Sequence, residues 1–286
     1  MSIQRRKLKD KLARLTLWIV LLLVTATLLG ILGFLVARGY SALSWEFFTE
    51  PPRNGMTEGG ILTPLVGTLQ LIIVSMAFAF PVGVLTAIYL HEYALDNATT
   101  RSIRLAIRCL AGVPSVVFGL FGFSFFCVFL KFGTNLLSAG LTLGCLALPI
   151  IVGASETALQ NVPRDYRDAS FSLGATRWQT ISRAVLPAAL PSILTGAILS
   201  IGRVAGETAP IIFTGVAFFT PEIAKSLFQS VMALPYHVLV LATAGTQIEK
   251  TRGIQYGSVL ALLILVLGIA FIGVLWRGRL RMRNSR

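Results

Sequence analysis

Charge is scarce in this chain, with 13% of its 286 residues charged and only 12 of them acidic. Histidine occurs twice and cysteine three times. Each scarcity excludes a chemistry. A zinc hydrolase of the His-Glu-x-x-His kind needs two histidines one helical turn apart. His91-Glu92 begins such a motif, but Leu95 stands where the second histidine belongs, and His237 falls on the opposite side of the expected topology. His91 and Glu92 mark the end of an apolar span instead. Proteolysis by a buried Asp pair is excluded too: Asp10 precedes the first apolar run, and Asp96, Asp165 and Asp168 lie in connections. Cys109, Cys127 and Cys145 are odd in number, sit in apolar segments and lack CxxC spacing, so they read as small core side chains, without a metal or redox role. The chain has no Gly-x-x-x-x-Gly-Lys-Ser/Thr phosphate loop and no Gly-Lys pair at all, which excludes an ATPase site.

What is abundant is apolar surface: 55% of residues are hydrophobic, and the mean hydropathy is +0.78. Apolar runs long enough to cross hydrocarbon, about 20 residues each, can be drawn over 16–37, 63–90, 109–130, 136–157, 188–213 and 255–276. The expected fold is an all-α integral membrane protein with six transmembrane helices. The first run follows "RRKLKDKLAR", is too long for a signal peptide, and lacks a small-x-small cleavage site, so it reads as a retained anchor.

The net charge of +13 invites a nucleic-acid reading, but the basic residues gather at span ends and in short connections. Of the Lys and Arg residues, 18 fall before the first span, in 91–108, in 158–187 and in the tail, against 6 in the alternate connections. The positive-inside rule then places both termini in the cytoplasm, as an even number of spans requires. The apolar stretch within 214–254 is too short for a seventh span. Thr220 as N-cap and Pro221 at the first helical position predict an external amphipathic helix there, followed by a re-entrant or surface segment.

The connection 158–187 has a built shape. Pro163 suits a helix start, Gly174 a left-handed helix end, and Thr176 with Gln179 a capping box that opens a second helix. Tyr166, Ala169, Phe171, Leu173, Trp178 and Ile181 supply apolar surface ringed by Arg164, Arg167, Arg177 and Arg183. Two readings stand: an amphipathic connection lying on lipid headgroups, or a lever docking into a cytoplasmic partner, which the small residues Ala169 and Ser170 would let approach closely.

Inside the fifth span lies "SIGRVAGETAPIIFTG", with Arg203 and Glu207 one turn apart. A charge at the centre of a span costs roughly 2.5–3.5 kcal/mol on insertion scales. Arg before acid at this spacing is the weaker order for an intrahelical pair. Pro210 crowds the carbonyl of Gly206 and predicts a break in the helix; backbone loosened in a membrane is tolerated where it lines a wet cavity or is buried in protein. The pair is therefore either a self-neutralising structural bridge or part of a translocation path.

Asp168-Ala169-Ser170, three residues, Gly174, nine residues, then Ala184-Val185-Leu186-Pro187 resembles the EAA loop of ABC importer permeases, written EAA, three residues, G, nine residues, I-x-L-P. Asp168 replaces Glu, Ser170 the second Ala and Ala184 the Ile. Together with "GGILTPLVGTLQLI", "GVPSVVFGLFG", "VPRDYRDASFSLGATRWQTI" and "GETAP", the chain from about Gly59 to Trp276 resembles phosphate-uptake permeases of the PstA type. The sister PstC type shares the loop and the GET triplet, but Ala209-Pro210 favours PstA.

The resemblance implies a MetI-like type I importer bundle in the bacterial inner membrane. It comprises a basic N-terminus, first helix and external loop (1–62), a permease domain (63–276) and a basic tail (277–286). It implies partners: a PstC-type sister permease, a PstB-type cytoplasmic ATPase that uses the ATP, an external PstS-type phosphate-binding protein, and membrane lipid. No cofactor, metal or nucleic acid is expected on this chain. Arg203, Glu207, Gly206 and Pro210 would line the substrate path, the Arg203 fork matching phosphate oxygens. Asp168, Ala169, Ser170, Gly174, Leu186 and Pro187 would couple to the ATPase. The alternatives are a PstC-type or other oxyanion permease, or a free-standing channel or secondary transporter; the last would show paired broken helices from an internal repeat, and one break is evident.

Overall fold

The computed structural model describes residues 3–244 and 248–284. Helix α1 (Ile3–Gly39) leads into a short α2 (Trp45–Thr49) and a two-stranded hairpin, β1 (Pro52–Arg53) against β2 (Glu58–Gly59). There follow α3 (Leu62–Ile88), α4 (Ala98–Leu110), α5 (Ser115–Gly122) and α6 (Leu136–Gln160). The second half holds α7 (Asp165–Ser172), α8 (Arg177–Thr180), α9 (Leu186–Gly206), α10 (Ala209–Thr214), α11 (Leu234–Thr243) and α12 (Ile248–Asn284).

Among the described residues five stretches are long and apolar enough to span a membrane: Lys9–Ala42, Leu62–Tyr93, Leu136–Gln160, Arg177–Gly206 and Thr251–Arg279. A bent pair of helices makes a sixth if it is counted as one span. Asn97 caps α4 by accepting from the Thr100 amide, and Arg101, Arg104 and Arg108 recur at helical spacing along it. After the turn at 111–113, Pro114 precedes α5, and the chain continues to Phe129 through a π-turn, at 105° to α4. The expected span 109–130 therefore starts at Ser115; its first residues belong to α4 and the corner. Cys109 is accordingly exposed rather than a core side chain, whereas Cys127 is buried and Cys145 half-buried.

The core forms where α3, α6, α9 and α10 meet, around Leu71, Ala79, Leu143, Ile151, Val204 and Ile211. Van der Waals packing rather than water exclusion associates helices in lipid, so small residues at the contacts matter. Gly140 and Gly144 fit that role: a Cβ on them would stand 2.4 Å from Val74 Cγ1 and 2.6 Å from Phe78 Cδ1 of α3. By contrast the most apolar window of α1 has no buried residue, and α1 meets α12 through Phe34 and Tyr256.

Two expectations are corrected here. The helix expected from Thr220 does not form; 215–233 is irregular, held by a parallel bridge between Val216 and Val231, and the helix comes later, in α11. The cause is competition for carbonyls. Leu136 and Leu137, the first amides of α6, donate to Gln229 O and Leu227 O at 2.9 Å each, while Ser138 donates to the Asn135 side chain. The orphan donors of a helix start thus take the carbonyls an α-helix over 221–232 would consume. Thr63 Oγ1 and Gln70 Nε2 claim two more, on Pro221 and Ala224. Pro235 sits in the first turn of α11, where a missing amide costs nothing.

The second correction concerns the fifth span. It is not confined to 188–213: α8 runs through a π-turn at Ile181–Val185 directly into α9, giving one helix over Arg177–Gly206.

Candidate functional site

The expected break is present. Helix α9 ends at Gly206, Glu207 is extended (φ −76°, ψ 128°), and α10 restarts with Pro210 in its first turn. Pro210 is buried against α5: its Cα lies 2.9 Å from where a Cβ on Gly119 would stand. Gly206 is exposed, with nothing within 4 Å of its missing Cβ. Arg203 and Glu207 face each other across 3.4 Å (Nε to Oε1), their side chains 39% and 18% exposed. Neither side chain makes a hydrogen bond among the described residues. The structure thus brings Arg203, Gly206 and Glu207 to one face, with Pro210 behind them holding the break.

Two other ion pairs show a different pattern. Arg167 of α7 donates from Nη2 to Glu92 Oε1 (2.6 Å) and Leu159 O (3.2 Å), and from Nη1 to Val162 O (3.1 Å). Arg104 of α4 donates to Glu156 Oε1 and to Leu90 O, both at 2.7 Å. These guanidinium groups also donate to backbone carbonyls at or just past the ends of α3 and α6, those of Leu90, Leu159 and Val162. They join the end of α3, α4, α6 and α7 into one platform. No local signal announced them, because their partners lie 52 and 75 positions away in the chain.

On this platform the 158–187 connection has the helix, corner and helix read from its sequence. Gly174 takes φ +80° after α7, and the Thr176 and Gln179 capping box is complete. Asp168, Ala169 and Gly174 are exposed, as is Pro187; Leu186 is half-buried. Ser170 turns inward instead, its hydroxyl 2.9 Å from Thr180 Oγ1, so its small size serves the contact between α7 and the helix that follows. Tyr166, Phe171, Leu173 and Trp178 are exposed, leaving an apolar surface without a partner in the isolated chain, whereas Ile181, expected on that surface, is buried against Leu159, Val162 and Val185. Among the described residues no three His, Cys, Asp or Glu side chains gather as a metal site would require.

Residues 79–286 match the family described as binding-protein-dependent transport system inner membrane component. Among curated relatives, the phosphate transport system permease protein PstA of Mycobacterium leprae is 35% identical over 96% of this chain and 90% of its own length. The probable ABC transporter permease protein YqgI of Bacillus subtilis is 32% identical over 93% and 94%. In fold, the chain resembles a subunit of the MetNI methionine ABC transporter (TM-score 0.61, 19% identity, 77% of this chain and 95% of that one). It also resembles one from a bacterial ABC transporter that imports alginate (TM-score 0.63, 14% identity, 96% and 99%). With its apolar spans, its broken fifth helix and its loop platform, the chain belongs to the binding-protein-dependent transport system inner membrane components, as an ABC importer permease of the PstA type.

Proposed function

We propose that this chain is the transmembrane permease of an ATP-driven importer for inorganic phosphate. It forms half of the translocation path with a sister permease and takes its power stroke through the 158–187 loop from a cytoplasmic ATPase. The substrate is delivered by an external phosphate-binding protein. The observation that carries the reading is the contrast among the ion pairs. Arg167 and Arg104 are short-bonded and engaged with carbonyls, whereas Arg203 sits at 3.4 Å from its acid, exposed and without a hydrogen bond among the described residues. A guanidinium with open donors is a bidentate receptor for an oxyanion. Glu207 at one edge orients the fork and weakens anion binding enough for release. The names of the PstA relatives support phosphate as the anion.

For coupling, the exposed apolar residues of 166–178, set on the Arg167–Glu92 platform, supply a rigid knob for the ATPase. Motion at α7 passes along the continuous helix from Arg177 to Gly206, which ends beside Arg203.

The test is phosphate uptake and complex yield for Arg203→Gln, Glu207→Gln and the double variant. Arg203→Gln stops uptake with the complex assembled, Arg203→Lys restores part of it, and Glu207→Gln impairs it. A double variant with full transport would reduce the pair to a structural bridge.

A further inference from the structure

The exposed face of α9 extends well beyond Arg203. Ser192, Leu199, Arg203 and Gly206 are exposed and Thr195 half-exposed, a spacing that places all five on one helical stripe. The neighbours on either side are α6, whose Ala154 meets Gly196, and α12, whose Gly273 meets Ile198. At the end of the stripe nearest α7 the chain leaves a recess of about 660 Å³, lined among others by Asn161, Tyr166, Ser192, Thr195 and Arg277.

Arg277 arrives from α12 and donates through Nη1 to Thr195 Oγ1 at 3.1 Å, while the Thr195 hydroxyl donates onward to Pro191 O at 3.1 Å. The hydroxyl is thereby fixed as an acceptor toward Arg277 and holds one prong of the fork in place. No carboxylate pairs with Arg277 among the described residues. A guanidinium in a recess, anchored by a neutral oxygen and left with its charge uncompensated, is built for an anion.

We infer that this recess is a second anion station, binding a phosphate oxyanion through Arg277, with Asn161, Tyr166 and Ser192 supplying polar contacts. At 1.5 Å per residue Thr195 lies about 12 Å from Arg203 along α9. On the path reading above, on which this step rests, an anion leaving Arg203 meets a second cation before the end of the stripe. The same chemistry is carried by two sources, a free phosphate ion and the phosphodiester headgroup of an anionic lipid.

The test follows Ser192→Cys in the assembled importer, with Cys109, Cys127 and Cys145 replaced by Ala, in nanodiscs. The rate of alkylation of the introduced thiol is read with inorganic phosphate, with chloride at equal ionic strength, and with phosphatidylglycerol replacing phosphatidylcholine. Phosphate at ten times its dissociation constant slows labelling about tenfold in phosphatidylcholine discs. Chloride does not, and Arg277→Gln abolishes the protection while Arg277→Lys keeps part of it. Protection by phosphatidylglycerol alone, equally dependent on Arg277, identifies the lipid headgroup as the oxyanion. Absence of both protections, or their survival in Arg277→Gln, overturns the site. The Arg203 variants are scored separately: phosphate protection with a fully active Arg203 and Glu207 double variant keeps the site and removes the path. Loss of protection beside an inactive Arg203→Gln does the reverse.

Discussion

Arg167 and Glu92 meet at 2.6 Å although 75 positions separate them in the chain, and both are nearly withdrawn from solvent, at 16% and 10% side-chain exposure. This one contact fixes α7 to the end of α3. Removing one member of a buried pair costs about 3–5 kcal/mol, because the other is left charged and unpaired; the residual exposure places this pair toward the lower figure. Glu92→Gln and Arg167→Gln are expected to insert but to loosen the loop, seen as faster tryptic cleavage at the exposed Arg164 and Arg177 and as reduced uptake. Exchanging the two residues will not restore the wild type, since Arg167 also serves the carbonyls of Leu159 and Val162. Unchanged cleavage in both single variants would mean that α7 is held by other contacts.

Gly174 tests the corner by conformation alone. Its φ is +80°, and nothing lies within 4 Å of the missing Cβ, so substitution is opposed by backbone strain and not by a clash. Left-handed residues other than glycine cost roughly 1–2 kcal/mol, asparagine least and β-branched residues most. Uptake and ATPase co-purification should therefore decline in the order Gly174, Asn, Ala, Val. Equal activity of all four would separate the corner from coupling.

Two glycines make a contrasting pair. A Cβ on Gly67 would meet the Met232 carbonyl oxygen at 1.9 Å, whereas one on Gly206 meets nothing within 4 Å. Gly67→Ala is expected to lower the yield of folded protein in a thermal assay. Gly206→Leu should leave that yield intact and still block transport, because the added side chain fills the exposed face beside Arg203. A transporting Gly206→Leu variant would move the path elsewhere.

His237 is 1% exposed in α11, and neither ring nitrogen has a hydrogen-bond partner among the described residues. Burial pushes its pKa down to about 4. The unfolded chain, titrating near 6.5, then binds the extra proton between these values. Stability attributable to this residue is constant above about pH 6.5 and falls as pH drops toward 4, by up to about 3 kcal/mol. His237→Leu should match or exceed the wild-type melting temperature at pH 7.5, and its margin should widen at pH 5. A margin independent of pH would show that the imidazole does not stay neutral.

What could be read in the sequence was what depends on a few neighbouring residues. The apolar runs, the Thr176 and Gln179 box, the left-handed Gly174 and the break before Pro210 are each set by local sterics or local hydrogen bonds, and each is present. What escaped depends on distant partners. The segment after Thr220 carries a fair helix start, but its carbonyls are claimed by α6 and α3. The bend at Pro114 sets α5 at 105° to α4, so the first residues of the expected third span belong to α4 and the corner. Ser170 looked like clearance for a partner and is a contact to Thr180. Of the residues proposed for the path, Arg203 and Glu207 were legible as an anomaly, since charge inside an apolar run is costly; Arg277, one of several basic residues in a basic tail, gave no such signal.

The carbonyls of Leu227 and Gln229 that close the start of α6 have a consequence for biosynthesis. A ribosome delivers Leu136 long before it delivers those carbonyls, so newly inserted α6 begins with its first amides facing water at the membrane surface. They are relieved only when 215–233 arrives and docks. Until then the half-made chain has α3, α6 and α9 but an unsealed end, and a truncation before residue 227 would leave it so. Closure of the α6 start is thus timed by the last third of translation.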